Sequence, residues 1–192
     1  MQKLSKEFYL KDTLTAAKEL LGKRLVCGNA EIIITETEAY IGAVDKACHA
    51  YGGRRTKRTE TLFCEGGVFY VYLIYGMYYC LNVITEKADC PCGVLIRGGK
   101  PSGDKDVLSL NRFGEKYESL TPYRKKHLLD GPGKVCMALK IDKSFNGISC
   151  LSDEIYIAEG EQIKKEDIKA AKRIGIDYAE EAADFLWRYY YD

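Results

Sequence analysis

Val68-Phe69-Tyr70-Val71-Tyr72-Leu73-Ile74-Tyr75-Gly76-Met77-Tyr78-Tyr79-Cys80-Leu81-Asn82-Val83-Ile84 is the stretch that decides the fold. Two runs rich in Val, Ile, Tyr and Phe, residues 68–74 and 77–84, meet at Tyr75-Gly76. These residue types suit a pleated, half-buried surface. Gly76 supplies the positive φ of a tight turn, so the runs predict an antiparallel hairpin. Outward from it, residues 24–27 and 31–40 read as strands around a Gly28-Asn29 turn, and residues 93–97 and 155–158 as two more. Residues 12–21 predict a helix, with Asp12 or Thr13 as cap and Gly22 as stop. Thr121-Pro122 is a helix start, Gly131-Pro132-Gly133-Lys134 leads into a helix over 135–140, and residues 178–190 predict a terminal helix. Short turns between most strands imply an α+β fold, a curved antiparallel sheet or open barrel flanked by helices, with a protruding β-hairpin.

Composition narrows the class. A chain of 192 residues, 46% hydrophobic and 30% charged, has the profile of a globular domain, and a single domain over residues 1–192 is expected. No apolar run reaches the ~18 residues of a spanning helix, so no membrane partner is expected. The first residues lack an apolar core and a cleavage site, which predicts no signal peptide and an intracellular location. Eight dispersed cysteines then read as reduced thiols. Cys90-Pro91-Cys92 has the wrong spacing for a zinc knuckle and there is no deaminase signature, so neither metal nor cofactor is expected. Net charge is only +1, yet residues 1–58 hold 11 basic and 7 acidic groups and residues 97–143 hold 11 and 6. Each block carries a tight cluster, Arg54-Arg55-Thr56-Lys57-Arg58 and Arg124-Lys125-Lys126-His127. Such clusters are phosphate-contacting patches or plain solvated faces.

Three features could carry chemistry. Alternation places Ile32, Ile34, Glu36, Glu38 and Tyr40 on one strand face, where a carboxylate beside apolar surface is either a base of raised pKa or part of a wet rim. Tyr75, at a hairpin tip, cannot easily reach the core of its own sheet and reads as an insertion wedge or as a residue packed on a nearby loop. Gly131-Pro132-Gly133-Lys134 before a helix is an anion site or a plain turn, and it lacks the Walker spacing.

Taken together, Glu36-Thr37-Glu38-Ala39-Tyr40, His49 with Gly52-Gly53-Arg54, the Tyr70 to Tyr78 run ending at Asn82, Val94-Leu95-Ile96-Arg97, Gly131-Pro132-Gly133-Lys134-Val135-Cys136 and Ile141-Asp142-Lys143-Ser144-Phe145 resemble the alkyladenine (3-methyladenine) DNA glycosylase family of the non-helix-hairpin-helix type. The likeness runs in order from about residue 14 to residue 176. It implies Glu38 as the base that activates water and Arg97 as the arginine that helps hold water and carboxylate. It implies Tyr40, His49 and Tyr72 as walls around a flipped base, Asn82 as the filter against guanine, and Tyr75 as the side chain that fills the gap in the duplex. With the basic clusters, it points to Arg54, Arg58, Met77, Tyr78, Gly133 and Lys134 as backbone contacts. The implied activity is hydrolytic release of alkylated or deaminated purines from double-stranded DNA by a monomer, without strand cleavage, since no amine nucleophile matches. Arg58-Thr59-Glu60, Gly98-Gly99 and the Cys90-Pro91-Cys92 insert depart from the family pattern. From the residues alone, a module that recognises distorted DNA without catalysis stays open, because only catalysis needs Glu38 and Arg97. Cysteine redox or metal chemistry rests on cysteine number alone.

Overall fold

The computed structural model describes residues 1–192, and its strands follow the apolar runs: β1 (Arg24–Cys27), β2 (Ala30–Ile41), β3 (Phe69–Ile74), β4 (Tyr78–Thr85), β5 (Cys92–Ser102), β6 (Ile155–Ala158), β7 (Lys169–Ala171) and β8 (Arg188–Tyr190). The helices are α1 (Lys6–Tyr9), α2 (Thr13–Glu19), α3 (Lys105–Phe113), α4 (Pro122–Lys126) and α5 (Pro132–Leu139). All pairings are antiparallel, in the order β3-β4-β5-β2-β1-β6. β2 pairs with β5 along one edge; its other edge takes β1 first and β8 afterwards. The sheet therefore curls around a long central strand into a half-barrel.

Local chemistry sets the element ends. Asp12 accepts a hydrogen bond from Thr15 N–H and caps α2. Thr121 accepts one from Arg124 N–H at α4, with Pro122 next in chain. One sheet face packs Phe69, Val71, Leu81, Val83, Val94 and Ile96 against Ala16, Ala17 and Leu20 of α2 and Val135, Cys136 and Leu139 of α5. Each fully buried Val, Leu, Ile or Phe among them contributes roughly 1.5–3 kcal/mol. The opposite face carries a smaller cluster, including Cys48, Leu62, Phe63, Tyr70 and Ile84. No helix is long and apolar enough to cross a membrane, and the eight cysteines are free thiols.

The hairpin forms as expected and protrudes. β3 and β4 pair from Phe69 opposite Val83 to Ile74 opposite Tyr78. Met77 N–H donates to the Ile74 carbonyl at 3.1 Å, and both Tyr75 (φ 50°) and Gly76 (φ 71°) are left-handed. At the tip Tyr75 is 81% exposed and Met77 66%.

The expected terminal helix over 178–190 does not form. Asp177–Asp184 makes tight 3-10 turns broken at Glu180 (φ 49°, ψ −128°), and the chain then extends into β8. The Ala-Glu-Glu-Ala-Ala segment is too short to sustain a helix on its own. Trp187, Tyr189 and Tyr190 suit a strand, and β8 completes the edge of β2 where β1 ends. The strand expected over 93–97 also continues to Ser102, through Gly98-Gly99.

Candidate active site

Two bulges in the β2–β5 ladder create the site. Register runs Ile34 opposite Gly99, Glu36 opposite Gly98 and Thr37 opposite Ile96, leaving Thr35 and Arg97 unmatched. Bulges of this kind re-aim side chains. Ile32 and Ile34 face the main core, and beyond Thr35 it is Ala39 that does so, while the Thr37 hydroxyl donates to the Ala17 carbonyl of α2. Glu36, Glu38 and Tyr40 are thereby turned to the opposite face, which corrects the simple alternation that grouped them with Ile32 and Ile34. On that face Glu38 stands opposite Leu95, and Leu95 opposite Asn82. Tyr70 stands opposite Asn82, and Tyr72 opposite Cys80. The glycines permit the close approach: a Cβ on Gly98 would lie 3.2 Å from the Cβ and Oε2 of Glu36, and one on Gly99 would lie 3.0 Å from the Ile33 carbonyl oxygen.

Glu38 is 0% exposed. Its Oε2 accepts the Tyr40 hydroxyl at 2.8 Å, and its Oε1 accepts the Ile174 N–H at 3.0 Å. Arg97 Nε lies 3.5 Å from Glu38 Oε1 and 3.3 Å from Glu36 Oε1. Burial pushes the Glu38 carboxyl above the usual carboxylate range. Arg97, the Ile174 N–H and the Tyr40 hydroxyl favour the ionised form, and Glu36 opposes it. Arg97 thus favours the anion, and desolvation outweighs it.

Beside Glu38 the aromatic residues form a narrow slot. Tyr40, His49, Tyr70, Tyr72, Leu62 and Asn82 line it, and its free volume is about 20 Å³. Tyr70 and Tyr72 stack with centroids 5.1 Å apart, and His49 meets Tyr72 edge-on at 4.7 Å. His49 Nδ1 lies 3.1 Å from the Tyr70 hydroxyl. Burial, with Arg58 nearby, pushes His49 down to about 4, so the imidazole is neutral at pH 7. Asn82 is buried, and its Oδ1 has no hydrogen-bond partner, leaving an acceptor free in the slot wall.

The slot shares Ala47, Cys48 and His49 with an open cavity of about 340 Å³ that also takes in Lys46, Arg54, Arg58, Tyr51 and Tyr178. Arg54 and Arg58 have no acidic partner, whereas Lys46 pairs with Glu180 and Glu181 at 2.5 and 2.8 Å. Arg55, between them in sequence, is committed to Glu60 and Asp89. In the second cluster Arg124 and Lys125 are committed to Glu115 and Glu118, each at 2.7–2.8 Å, and His127 pairs with Asp130. Gly133 lies in the first turn of α5, where a Cβ would sit 3.1 Å from the Cβ of Tyr78, so α5 begins against the tip end of the hairpin. Lys134 pairs with Asp130 at 2.7 Å.

Three supports of the site carried no signal in the sequence. Ile174 contributes only its backbone N–H, which any residue but proline would supply. Arg173, 5% exposed, forks onto Asp45 at 2.6 and 2.8 Å and stacks between Tyr40 (4.8 Å) and Trp187 (5.1 Å). Arg188 reaches Glu36 Oε1 at 2.7 Å from the strand that had read as helix.

Known proteins resemble the whole chain. The family model of methylpurine-DNA glycosylase matches residues 7–192. A Clostridium perfringens protein (strain SM101, type A) named "Putative 3-methyladenine DNA glycosylase" is 56% identical over 98% of this chain and 95% of its own length. Proteins of the same name from Clostridium novyi (strain NT) and Desulfitobacterium hafniense (strain Y51) are 49% and 46% identical, each over 99% of this chain and 95% of their own length. The segments that make the site, from β2 through the hairpin to Arg97 and the α5 start, fall inside that match, and the chain belongs to the methylpurine-DNA glycosylase family and is a DNA glycosylase.

Proposed function

We propose that this chain, working as a monomer over its full length, rotates an alkylated or deaminated purine out of double-stranded DNA and hydrolyses its N-glycosidic bond with a water activated by Glu38. The reading covers 3-methyladenine, the substrate in the relatives' names, and 7-methylguanine, hypoxanthine and ethenoadenine. The observation that carries it is the fully buried Glu38, with Arg97 and Tyr40 on it, beside an aromatic slot.

A base inside a duplex is out of reach, so it must be everted and the gap filled. Tyr75 fills the gap, and Tyr40, His49 and Tyr72 bound the everted base. The slot holds about 20 Å³, narrower than a purine, so its walls part as the base enters. Arg54, Arg58, Met77, Tyr78, Gly133 and Lys134 take the backbone. An N3- or N7-alkylated purine is cationic and favours electron-rich rings by roughly 0.5–2 kcal/mol per contact. It departs with the bonding electron pair as a neutral species, a neutral purine such as hypoxanthine departs as an anion that takes up one proton from solvent, and in both cases the sugar passes through an oxocarbenium-like state. Anionic Glu38 stabilises that positive charge and takes a proton from the water that adds to the sugar carbon. Asn82 crowds the 2-amino group of guanine. The products are free base and an abasic sugar in an unbroken strand.

Base release from duplexes that each carry one of these lesions tests the reading. The wild-type protein is expected to release base, and Glu38→Gln is expected to bind lesion DNA and release none. A Glu38→Gln variant as active as wild type would remove Glu38 from the reaction.

A further inference from the structure

The second carboxylate of the strand has no part in that chemistry, yet it lies closer to Arg97 Nε than Glu38 does, 3.3 Å against 3.5 Å. Glu36 is itself pinned: Arg188 Nη1 donates to its Oε1 at 2.7 Å, and Arg188 Nε donates to the Lys172 carbonyl at 2.8 Å, two residues before the N–H that caps Glu38. A cation shared by two anions is drawn to each less than it would be to one alone. We propose that Glu36, anchored by Arg188, is a positioning residue that holds Arg97 between the two carboxylates and keeps it from closing on Glu38. Glu38 then remains a stronger base than it would be beside an undivided arginine. The inference rests on the proposed role of Glu38 in hydrolysis. The groups facing Glu38 are Glu36 and Tyr40 on its own strand, Arg97 on β5, Cys80 on β4, Arg188 opposite it on β8, and Arg173. Burial pushes the Cys80 thiol up to about 11 and holds the Tyr40 hydroxyl protonated, so Glu36 is the one other carboxylate in the set.

Two variants should move the pH profile in opposite directions. Single-turnover base release is measured from pH 4 to 9 on duplexes carrying hypoxanthine or 7-methylguanine. Glu36→Gln removes the competing anion, so Glu38 should ionise more readily and the acid limb should shift to lower pH by about half a unit or more. Arg188→Met removes a cation and leaves Glu36 to draw on Arg97, so the limb should shift to higher pH. A purely structural role would lower the rate of both variants without separating their limbs. The proposal is overturned if the Glu36→Gln limb stays in place or moves up. Glu36 is partly solvent-exposed, so this variant can decide alone if Arg188→Met does not fold. Wild-type protein that releases no base from either duplex would instead overturn the proposed function.

Discussion

Glu38 has its proton affinity set by the absence of water: a carboxylate with no exposed surface ionises reluctantly, even with an arginine, a hydroxyl and an amide hydrogen directed at it. In the proposed reaction Glu38 acts as the anion, so activity should fall on the acid side as pH drops through a value above the ordinary range of a glutamate. A pH–rate profile of base release checks this, and a limb at or below the ordinary glutamate value would contradict it. His49 bears on stability instead. Its value is lowered from 6.5 to about 4 in the fold, so the unfolded chain binds the extra proton first. The contribution of neutral His49 is therefore complete above about pH 6.5 and fades as pH falls towards 4. Thermal melts of wild type and His49→Asn over that window should converge as the pH falls, and a constant difference would show that His49 does not titrate in this way.

At the scale of elements, the hairpin was legible because turn chemistry and strand composition agree over the same residues. The bulges were not, because they depend on what stands opposite: nothing within residues 31–40 announces that Thr35 goes unmatched. Arg97 could be singled out by resemblance, but its placement on a bulge and the passage of β5 through Gly98-Gly99 emerge only once β2 lies alongside. The terminal strand was misread because a local Ala and Glu run resembles helix, while its true partner, the free edge of β2, is some 150 residues away in sequence. Gly99→Ala tests the bulge. The new Cβ would lie 2.9 Å from Ile32 Cδ1 and 3.0 Å from the Ile33 carbonyl oxygen, so denaturant melts should show a loss of about 1–3 kcal/mol. The hairpin tip gives the opposite balance. Tyr75 sits at φ 50°, where a tyrosine costs roughly 1 kcal/mol and an asparagine much less. Tyr75→Asn should raise the melting temperature while weakening lesion-duplex binding by about tenfold, the scale of one lost stacking contact. A variant that gains stability and keeps its affinity would show that the tip does not enter the duplex.

Across the whole molecule, the slot residues were legible as types, since tyrosines, a histidine and two glutamates stand out in sequence, whereas the buried Arg173–Asp45 pair that braces Tyr40 did not. Charge shows the same divide. The sequence offers two basic clusters of similar strength, and the fold makes them unequal. Around α4, Arg124 and Lys125 lie against Glu115 and Glu118, so at those two positions a DNA phosphate would meet charges already offset, and Lys126 alone of the three cations is left unpaired. Arg54 and Arg58 open onto the cavity beside the slot and have no acid to offset them. A cation that neutralises a phosphate releases a counterion and steepens the fall of affinity with salt by about one unit of slope. Exposed ion pairs are weak and can open, but the acid they release stays nearby and repels the same phosphate. Arg54→Gln and Arg58→Gln should therefore each flatten a plot of log Kd against log salt for lesion duplex by about one, and Arg124→Gln and Lys125→Gln by much less. Equal losses from all four would mean that DNA runs over both clusters, and that the ion pairs around α4 give way to it.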